Sequence, residues 1–196
     1  MKIRILGLIL AVIMIFSFAG CKKEREKTEG IGEYTAVITV KNYGKIELLL
    51  DGDTAPITVE NFVELAKDGF YNGLTFHRII DGFMIQGGDP EGTGLGGSDK
   101  NIKGEFRSNG YQNDISHVRG TISMARNSIS MDSASSQFFI VQQDSTYLDG
   151  DYAAFGKVIK GMEVVDEIAK KTAVLDSNGT VAADNQPIIE KIEIKD

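Results

Sequence analysis

The 196-residue sequence contains one cysteine, two histidines and no tryptophan, and these shortages exclude several kinds of chemistry. A lone cysteine, Cys21, cannot form an intramolecular disulfide or a multi-thiolate metal site, so the fold must depend on a hydrophobic core. His77 and His117 lie outside any HExxH motif, and the sequence has no Gly-x-Ser-x-Gly segment, so the signatures of zinc proteases and serine hydrolases are missing. A covalent triad that uses one of the histidines stays open, but we expect no metal ion and no cofactor.

Positive charge is also scarce, because 21 lysines and arginines face 28 aspartates and glutamates, which gives a formal net charge of -7. An acidic chain repels phosphate backbones, so we expect no nucleic-acid partner. Three prolines and 22 glycines favour tight turns over disorder, and the hydrophobic fraction of 42% is ordinary for a globular protein. Once an amino-terminal segment is set aside, the remaining length suits one compact domain.

The one long apolar run of the sequence lies at its amino terminus. Lys2 and Arg4 precede a largely apolar run over 5–19, which is shorter than the about 20 residues that a membrane-spanning helix needs. The length fits the core of a signal peptide, and the small residues before Cys21 make the junction resemble a bacterial lipobox, in which the cysteine is lipidated. An ordinary signal peptide or a short membrane anchor is the alternative. We predict a lipoprotein signal peptide over 1–20 and an extracytoplasmic protein that a lipid on Cys21 anchors to the cell membrane, or to the outer membrane of a host with two.

A charged segment separates this junction from the first predicted strand. Residues 22–32, KKEREKTEGIG, lack large apolar side chains apart from Ile31, so the segment offers no face to bury. We predict a flexible tether over 21–33 and a folded domain over 34–196. A helical extension is the alternative, because glutamate and lysine favour helices.

From residue 34 onward the sequence predicts a mainly β fold. Short β-rich runs separated by turn residues predict eight strands: 35–40, 45–50, 75–80, 83–86, 121–125, 137–141, 153–158 and 188–194. A first helix is predicted to begin with Thr58 as its cap and to end at Gly69, and a second to span 162–170. Because strands and helices do not alternate, we predict a closed eight-stranded antiparallel β-barrel capped by two α-helices.

Glycines at positions 92, 94 and 97 match the GxGxxG string of dinucleotide-binding proteins. That motif functions only where a strand passes into a helix whose amino terminus holds the pyrophosphate. The residues that follow, 98–104, have no helical apolar face and end in glycine, so we reject nucleotide binding.

Three segments, 76–89, 120–126 and 136–140, are unusually rich in large apolar and amide side chains. In the first, alternation puts Arg78 on the same strand face as two apolar residues, where a charge needs a partner or a purpose. With the neighbouring strands, the pattern predicts one mixed surface formed by Arg78, Met84, Gln86, Gln137 and Phe139. An apolar pocket with a few fixed donors is typical of a small binding site. A barrel core with one salt-bridged arginine is the alternative.

Four strings, in this order, resemble the signature of the cyclophilin family of peptidyl-prolyl cis/trans isomerases. They are FHRII-x-GFM-x-QGGD (76–89), SQFFI (136–140), LDG (148–150) and FGKV (155–158). The resemblance spans nearly all of 34–196. It implies an eight-stranded barrel with two capping helices and prolyl isomerase activity on proline-containing polypeptide clients, without a cofactor. We expect the protein to be a monomer.

The resemblance also implies roles for individual residues. Arg78 matches the catalytic arginine of the family, and Gln86 matches the glutamine that contacts the substrate backbone. The other matches belong to the proline pocket and the adjoining peptide groove: Phe83, Met84, Ala125, Arg126, Gln137, Phe139, Tyr147, Leu148 and Tyr152. Tyr147 stands where the best-known members have tryptophan, which puts strong cyclosporin binding in doubt. Tyr152 stands where those members have histidine.

Overall fold

The computed structural model describes residues 29–195 of the chain. The elements are β1 (Glu33–Val40), β2 (Gly44–Asp51), α1 (Pro56–Lys67), β3 (Thr75–Ile80), β4 (Met84–Asp89), β5 (Thr121–Met124), β6 (Phe138–Val141), β7 (Ala154–Lys160), α2 (Met162–Lys171) and β8 (Ile189–Lys195). Each predicted strand and helix therefore has a counterpart. The predicted signal peptide over 1–20, the lipidated Cys21 and most of the predicted tether lie outside the described residues. Within 29–195, no helix is both long and apolar enough to span a bilayer.

The strands form one eight-stranded antiparallel sheet in the order β3-β4-β6-β5-β7-β2-β1-β8. In the described chain, the sheet curls until its outer strands meet around one bridge, between Thr75 and Ile188. Further along β3, a loop of residues 174–181 takes the free edge instead, and Ile79 N donates to Gly179 O at 2.8 Å. The fold is thus a curled half-barrel, and the predicted closed barrel is corrected, because this loop occupies the edge that closure would need.

The main hydrophobic core lies inside the curl. Alternate strand residues such as Ile38 of β1 and Leu48 of β2 are fully buried there, and α1 contributes Phe62. The Phe62 ring lies 5.2 Å from the ring of Tyr71 and 5.5 Å from that of Phe138, in tilted and edge-to-face geometries that aromatic pairs favour. This packing holds α1 against the sheet and fixes the strands whose outer faces form the site.

The first turn of α1 differs from the prediction that Thr58 caps it. The helix begins at Pro56, whose fixed φ suits a first turn. The Glu105 carboxylate accepts hydrogen bonds from Ile57 N at 3.2 Å and from Thr58 N and Oγ1 at 2.8 and 2.7 Å. A distant side chain thus satisfies the free N–H groups of the helix, so the local pattern around Thr58 could not locate its first residue.

Candidate active site

Four side chains form a row across the outer face of β3, β4, β6 and β5. Arg78 of β3 is paired with Gln86 of β4, and Gln86 is paired with Phe139 of β6. Phe139 is paired in turn with Ser123 of β5. Because paired residues of an antiparallel sheet point to the same face, the row lies on the side opposite the main core.

A cavity of about 210 Å³ lies over this row. Its lining residues are Arg78, Phe83, Met84, Gln86, Ala125, Arg126, Phe139, Leu148 and Tyr152. Met84 and Phe139 belong to a small apolar cluster on this outer face, separate from the main core. The structure therefore brings together all the site residues expected from the sequence except Gln137 and Tyr147.

The Arg78 guanidinium lies in the wall of this cavity and is held from two sides. Its Nε donates to Asn178 O at 2.8 Å, and its Nη1 donates to Gln86 Oε1 at 3.1 Å. The Met84 sulfur lies 3.8 Å from the same Nη1. These contacts fix the orientation of the side chain. Because the side chain is only half-buried, its guanidinium still reaches the cavity.

A chain of amide hydrogen bonds continues from Arg78. Gln86 Nε2 donates to Gln137 Oε1 at 2.9 Å. Gln137 Nε2 then donates to the carbonyl oxygens of Gly94 at 3.1 Å and Gly96 at 2.7 Å. Each amide oxygen accepts and each amide nitrogen donates, so all these bonds run in one direction from the guanidinium. Gln137 therefore lies one step behind Gln86 rather than in the wall of the smaller cavity.

Burial lowers the pKa of the Arg78 guanidinium, and the nearby Tyr152, Tyr147 and Asp176 oppose this shift. Arginine starts from so high a pKa that the group stays protonated at neutral pH. The site therefore presents a permanent cation beside an apolar wall.

A second cavity, of about 350 Å³, adjoins the first. Gln86, Ala125 and Arg126 line both cavities, so the two form one continuous groove. Residues 94–97 form one wall of the larger cavity, and Gln137 lies in its lining. The glycine string that matched a nucleotide fingerprint thus serves as a groove wall, and no helix follows it over 98–104.

Of the two tyrosines expected in the site, Tyr152 lines the smaller cavity and Tyr147 does not. The Tyr147 side chain is 70% exposed and lies outside both cavities, with its ring 6.0 Å from that of Phe83. The Tyr152 ring packs edge-on against Phe139 at 5.9 Å, and the Arg126 guanidinium lies over it at 4.9 Å. Tyr152 is therefore part of the wall, whereas Tyr147 lies at the rim of the groove.

The polar stretch 173–186 reads from its sequence as a surface loop without a function, and sequence reasoning missed that this loop holds Arg78. Its Asn178-Gly179 pair is a turn signal, and Gly179 has a φ of +81°. Asp176 Oδ1 accepts a hydrogen bond from Thr180 N at 3.1 Å and so braces the turn. A turn signal does not show which strand edge the turn will meet, so the contact with β3 becomes visible only in three dimensions.

A buried polar network supports the floor of the groove. His117 Nδ1 lies 2.9 Å from Asp149 Oδ1, and Nε2 lies 3.0 Å from Ser123 Oγ. A carboxylate only accepts, so Nδ1 carries the hydrogen and Nε2 accepts from the Ser123 hydroxyl. The His117 ring stacks on Phe139 at 6.0 Å, and Ser123 is completely buried and lines neither cavity. The triad left open by the sequence is therefore a structural support beneath Phe139, without an accessible nucleophile.

Comparison with protein families completes the assignment. Residues 35–196 match the family described as "Cyclophilin type peptidyl-prolyl cis-trans isomerase/CLD". The chain belongs to the cyclophilin family. This cyclophilin is accordingly a peptidyl-prolyl cis-trans isomerase (EC 5.2.1.8), with proline-containing peptides as its substrates.

Relatives of this cyclophilin are similar over most of their length. The peptidyl-prolyl cis-trans isomerase A of Dickeya dadantii (strain 3937) is 40% identical over 179 residues, which cover 87% of this chain and 86% of that protein. The peptidyl-prolyl cis-trans isomerase B of Bacillus subtilis (strain 168) is 45% identical over 129 residues, covering 66% and 86% respectively. A cyclophilin-type isomerase of Cryptosporidium parvum, crystallised in the presence of the dipeptide Ala-Pro, has a TM-score of 0.72 and 32% identity, covering 83% of this chain and 99% of that chain.

Both histidines of this cyclophilin should make its stability depend on pH. Burial lowers the pKa of His77 and of His117, although Asp89 opposes the shift at the first and Asp149 at the second. Below the unfolded pKa of about 6.5, the unfolded chain then binds more protons than the folded one, so stability falls as pH drops through that value. We expect the free energy of unfolding, measured by urea titration from pH 7 to 5, to fall by up to about 1.4 kcal/mol per pH unit for each histidine.

Two variants separate these contributions. Neither ring nitrogen of His77 has a hydrogen-bond partner in the part of the chain that the structure describes, so His77→Leu should reduce the acid slope with little loss at pH 7. His117→Leu should destabilise the protein throughout the range, because it removes the hydrogen bonds to Asp149 and Ser123. An acid slope that is unchanged in both variants would show that other groups cause it.

Proposed function

We propose that this cyclophilin accelerates rotation about X–Pro bonds in extracytoplasmic polypeptide clients, with Arg78 stabilising the twisted amide. Partial double-bond character makes this rotation cost about 18–20 kcal/mol, so the uncatalysed exchange is slow on the timescale of folding. No covalent bond breaks during the rotation. The reaction therefore needs only a group that favours the twisted amide over the planar one.

The position of Arg78 is the observation that carries the proposal. When the amide twists, conjugation is lost and the prolyl nitrogen regains a lone pair that can accept a hydrogen bond. A guanidinium aimed at this nitrogen gains that bond only in the twisted state, so its stabilisation is selective. Asn178 and Gln86 hold Nε and Nη1, which leaves Nη2 without a hydrogen-bond partner among the described residues and available to a client.

The apolar side of the smaller cavity suits the proline ring. Phe83, Met84, Phe139 and Leu148 form this side, so the ring can be held while the preceding carbonyl swings. The Cryptosporidium parvum relative was crystallised in the presence of Ala-Pro, which supports a small X–Pro unit as the group bound here. Lowering the barrier by about 7 kcal/mol would give about 10⁵-fold acceleration.

The activity on clients is tested with a protein whose slow refolding phase is limited by prolyl isomerisation. Small, substoichiometric amounts of the full chain should speed up that phase in proportion to the enzyme concentration. The fast phases, which involve no prolyl isomerisation, should not change and serve as the internal control. A slow phase that is insensitive to added enzyme would refute the proposal that folding polypeptides are its clients.

We propose further that a lipid on Cys21 holds the enzyme outside the cytoplasm, at the membrane. The apolar run over 5–19 followed by the only cysteine of the chain supports this anchor. We expect Cys21→Ser to move the protein from the membrane fraction to the soluble fraction and to abolish labelling by radioactive palmitate. Lys22→Ser, the matched neighbour, should leave both properties unchanged. Membrane retention of unlabelled Cys21→Ser would instead indicate an uncleaved protein anchor.

A further inference from the structure

The four most exposed large apolar side chains of the described residues belong to segments that line the groove or hold its residues in place. They are Ile129, Leu95, Tyr147 and Leu175, with exposed fractions of 94%, 90%, 70% and 69%. Single exposed apolar residues are ordinary, but a group of them around one groove indicates a surface that binds a partner. We name these four side chains the apolar rim.

Two members of the apolar rim, Ile129 and Leu175, line neither cavity and belong to two different loops. Ile129 projects from a turn whose first residue, Asn127, lines the larger cavity and not the smaller one. Leu175 belongs to the loop whose Asn178 holds Arg78, a residue that lines the smaller cavity and not the larger one. The segments that carry these two side chains therefore adjoin different cavities of the groove.

The other two members line a cavity or contact a residue that does. Leu95 is part of the lining of the larger cavity. Tyr147 packs against Phe83, which lines the smaller one. The exposed apolar surface of Leu95 and Tyr147 thus adjoins the site of isomerisation directly.

The turns that carry the two outlying side chains are held by their own hydrogen bonds. Asn127 Oδ1 accepts from Ile129 N at 3.0 Å and from Ser130 N at 2.9 Å. Leu175 N donates to Thr180 O at 2.7 Å. Backbone that is already ordered loses little entropy on binding, so these side chains are presented in a form ready to contact a ligand.

We propose that the apolar rim binds the client chain on both sides of its X–Pro bond. The preferred clients are then unfolded segments in which large apolar residues flank the proline. Folded proteins bury such residues, so the rim selects chains that have not yet folded. This inference rests on the proposed function, because it assumes that the groove holds an X–Pro peptide.

The expected kinetic effect follows from the distance of the outlying residues from the reacting bond. Ile129 and Leu175 line neither cavity, so we expect their contacts with a client to be nearly the same whether the amide is planar or twisted. Such uniform binding lowers KM and leaves kcat unchanged. A client with apolar flanks should therefore be favoured through KM alone.

The test uses the full chain and two peptides that share the same central Ala-Pro unit. One peptide has serine and glycine flanks, and the other has leucines three and four residues away on each side. We expect kcat/KM, measured by exchange NMR, to be about tenfold higher for the leucine peptide, through a lower KM. The double variant Ile129→Ser/Leu175→Ser should bring this ratio close to one, and each single variant should lower it part of the way.

Ile159→Ser supplies the matched control, because the Ile159 side chain is also apolar and 51% exposed but lines neither cavity. It lies on β7 beside Lys160, which pairs with Glu47 of β2. This variant should leave the ratio unchanged. A ratio of one in the unaltered enzyme, or a full ratio in the double variant, would overturn the inference. Sedimentation that shows a dimer for the unaltered chain and a monomer for the double variant would also overturn it, since the rim would then bind a second copy. If both peptides are isomerised with the same kcat/KM, only this inference fails. If neither peptide is isomerised, the proposed function fails as well.

Discussion

Replacing Arg78 by lysine is expected to lower kcat for a proline peptide by about 10²–10³-fold, the usual effect of removing one donor that stabilises a transition state. Lysine keeps the positive charge but not the planar fork. The three donors of an ammonium group share one nitrogen, so they cannot match the spaced, planar positions of Nε on Asn178 O, Nη1 on Gln86 Oε1 and Nη2 facing the client. The loss should appear in kcat rather than KM, because the proposed interaction with the prolyl nitrogen would form only in the twisted state.

Arg107→Lys is the matched control for this prediction. Arg107 is an exposed arginine that pairs with Asp114 at 3.6 Å and lies outside both cavities. It should retain full activity, and both variants should unfold at nearly the same urea concentration as the unaltered enzyme. Undiminished kcat in Arg78→Lys would mean that the charge alone suffices and that the guanidinium geometry has no part in the mechanism.

Gly179→Ala is expected to reduce both stability and activity. Gly179 has a φ of +81°, and an added Cβ would collide with Ile79 O and lie 2.6 Å from Ile80 Cγ1. The loop must then move away from β3 and take Asn178 O away from Arg78 Nε. A displacement of about 1 Å at a reacting group can cost about 100-fold in rate, so we expect kcat to fall by up to about that factor. The free energy of unfolding should fall by about 2–5 kcal/mol from the backbone strain and the collision together.

Gly73→Ala separates the two causes. Gly73 has nearly the same φ, +82°, but an added Cβ would meet nothing within 4 Å. This variant should lose only the backbone component of about 1–2 kcal/mol and should keep its activity. Equal kcat values for Gly179→Ala and Gly73→Ala would show that the loop does not position Arg78.

The strands and helices could be predicted because their signals are local. Alternation in a run such as 75–80 and the turn residues that bound it depend only on neighbours in the sequence. The closure of the barrel depends instead on which distant segment pairs with the free edge of β3. Ile188, next to β8, meets this edge at Thr75, and the 174–181 loop occupies it at Ile79. The first turn of α1 was misplaced for the same reason, since the Glu105 carboxylate that satisfies it is 47 residues from Thr58.

The site was predictable to the extent that strand pairing determines it. Arg78, Gln86 and Phe139 lie on one face because three neighbouring strands are in register. The contact between Arg78 and Asn178 joins residues 100 positions apart through a loop, and no pattern of residue types encodes it. Whether a loop residue such as Tyr147 lies in the wall or at the rim likewise depends on the loop conformation rather than on residue type.

The amides of Gln86 and Gln137 have a fixed polarity with a consequence for selectivity. Reversing either amide would set oxygen against oxygen or nitrogen against nitrogen and break bonds at both of its ends. The carbonyl of Gly96 and the guanidinium are therefore the two terminals of one cooperative unit. A ligand residue that takes the place of the Gly96 carbonyl therefore changes the hydrogen bonding of the Arg78 guanidinium, so we expect binding at the two ends of the network to be coupled within a single bound peptide.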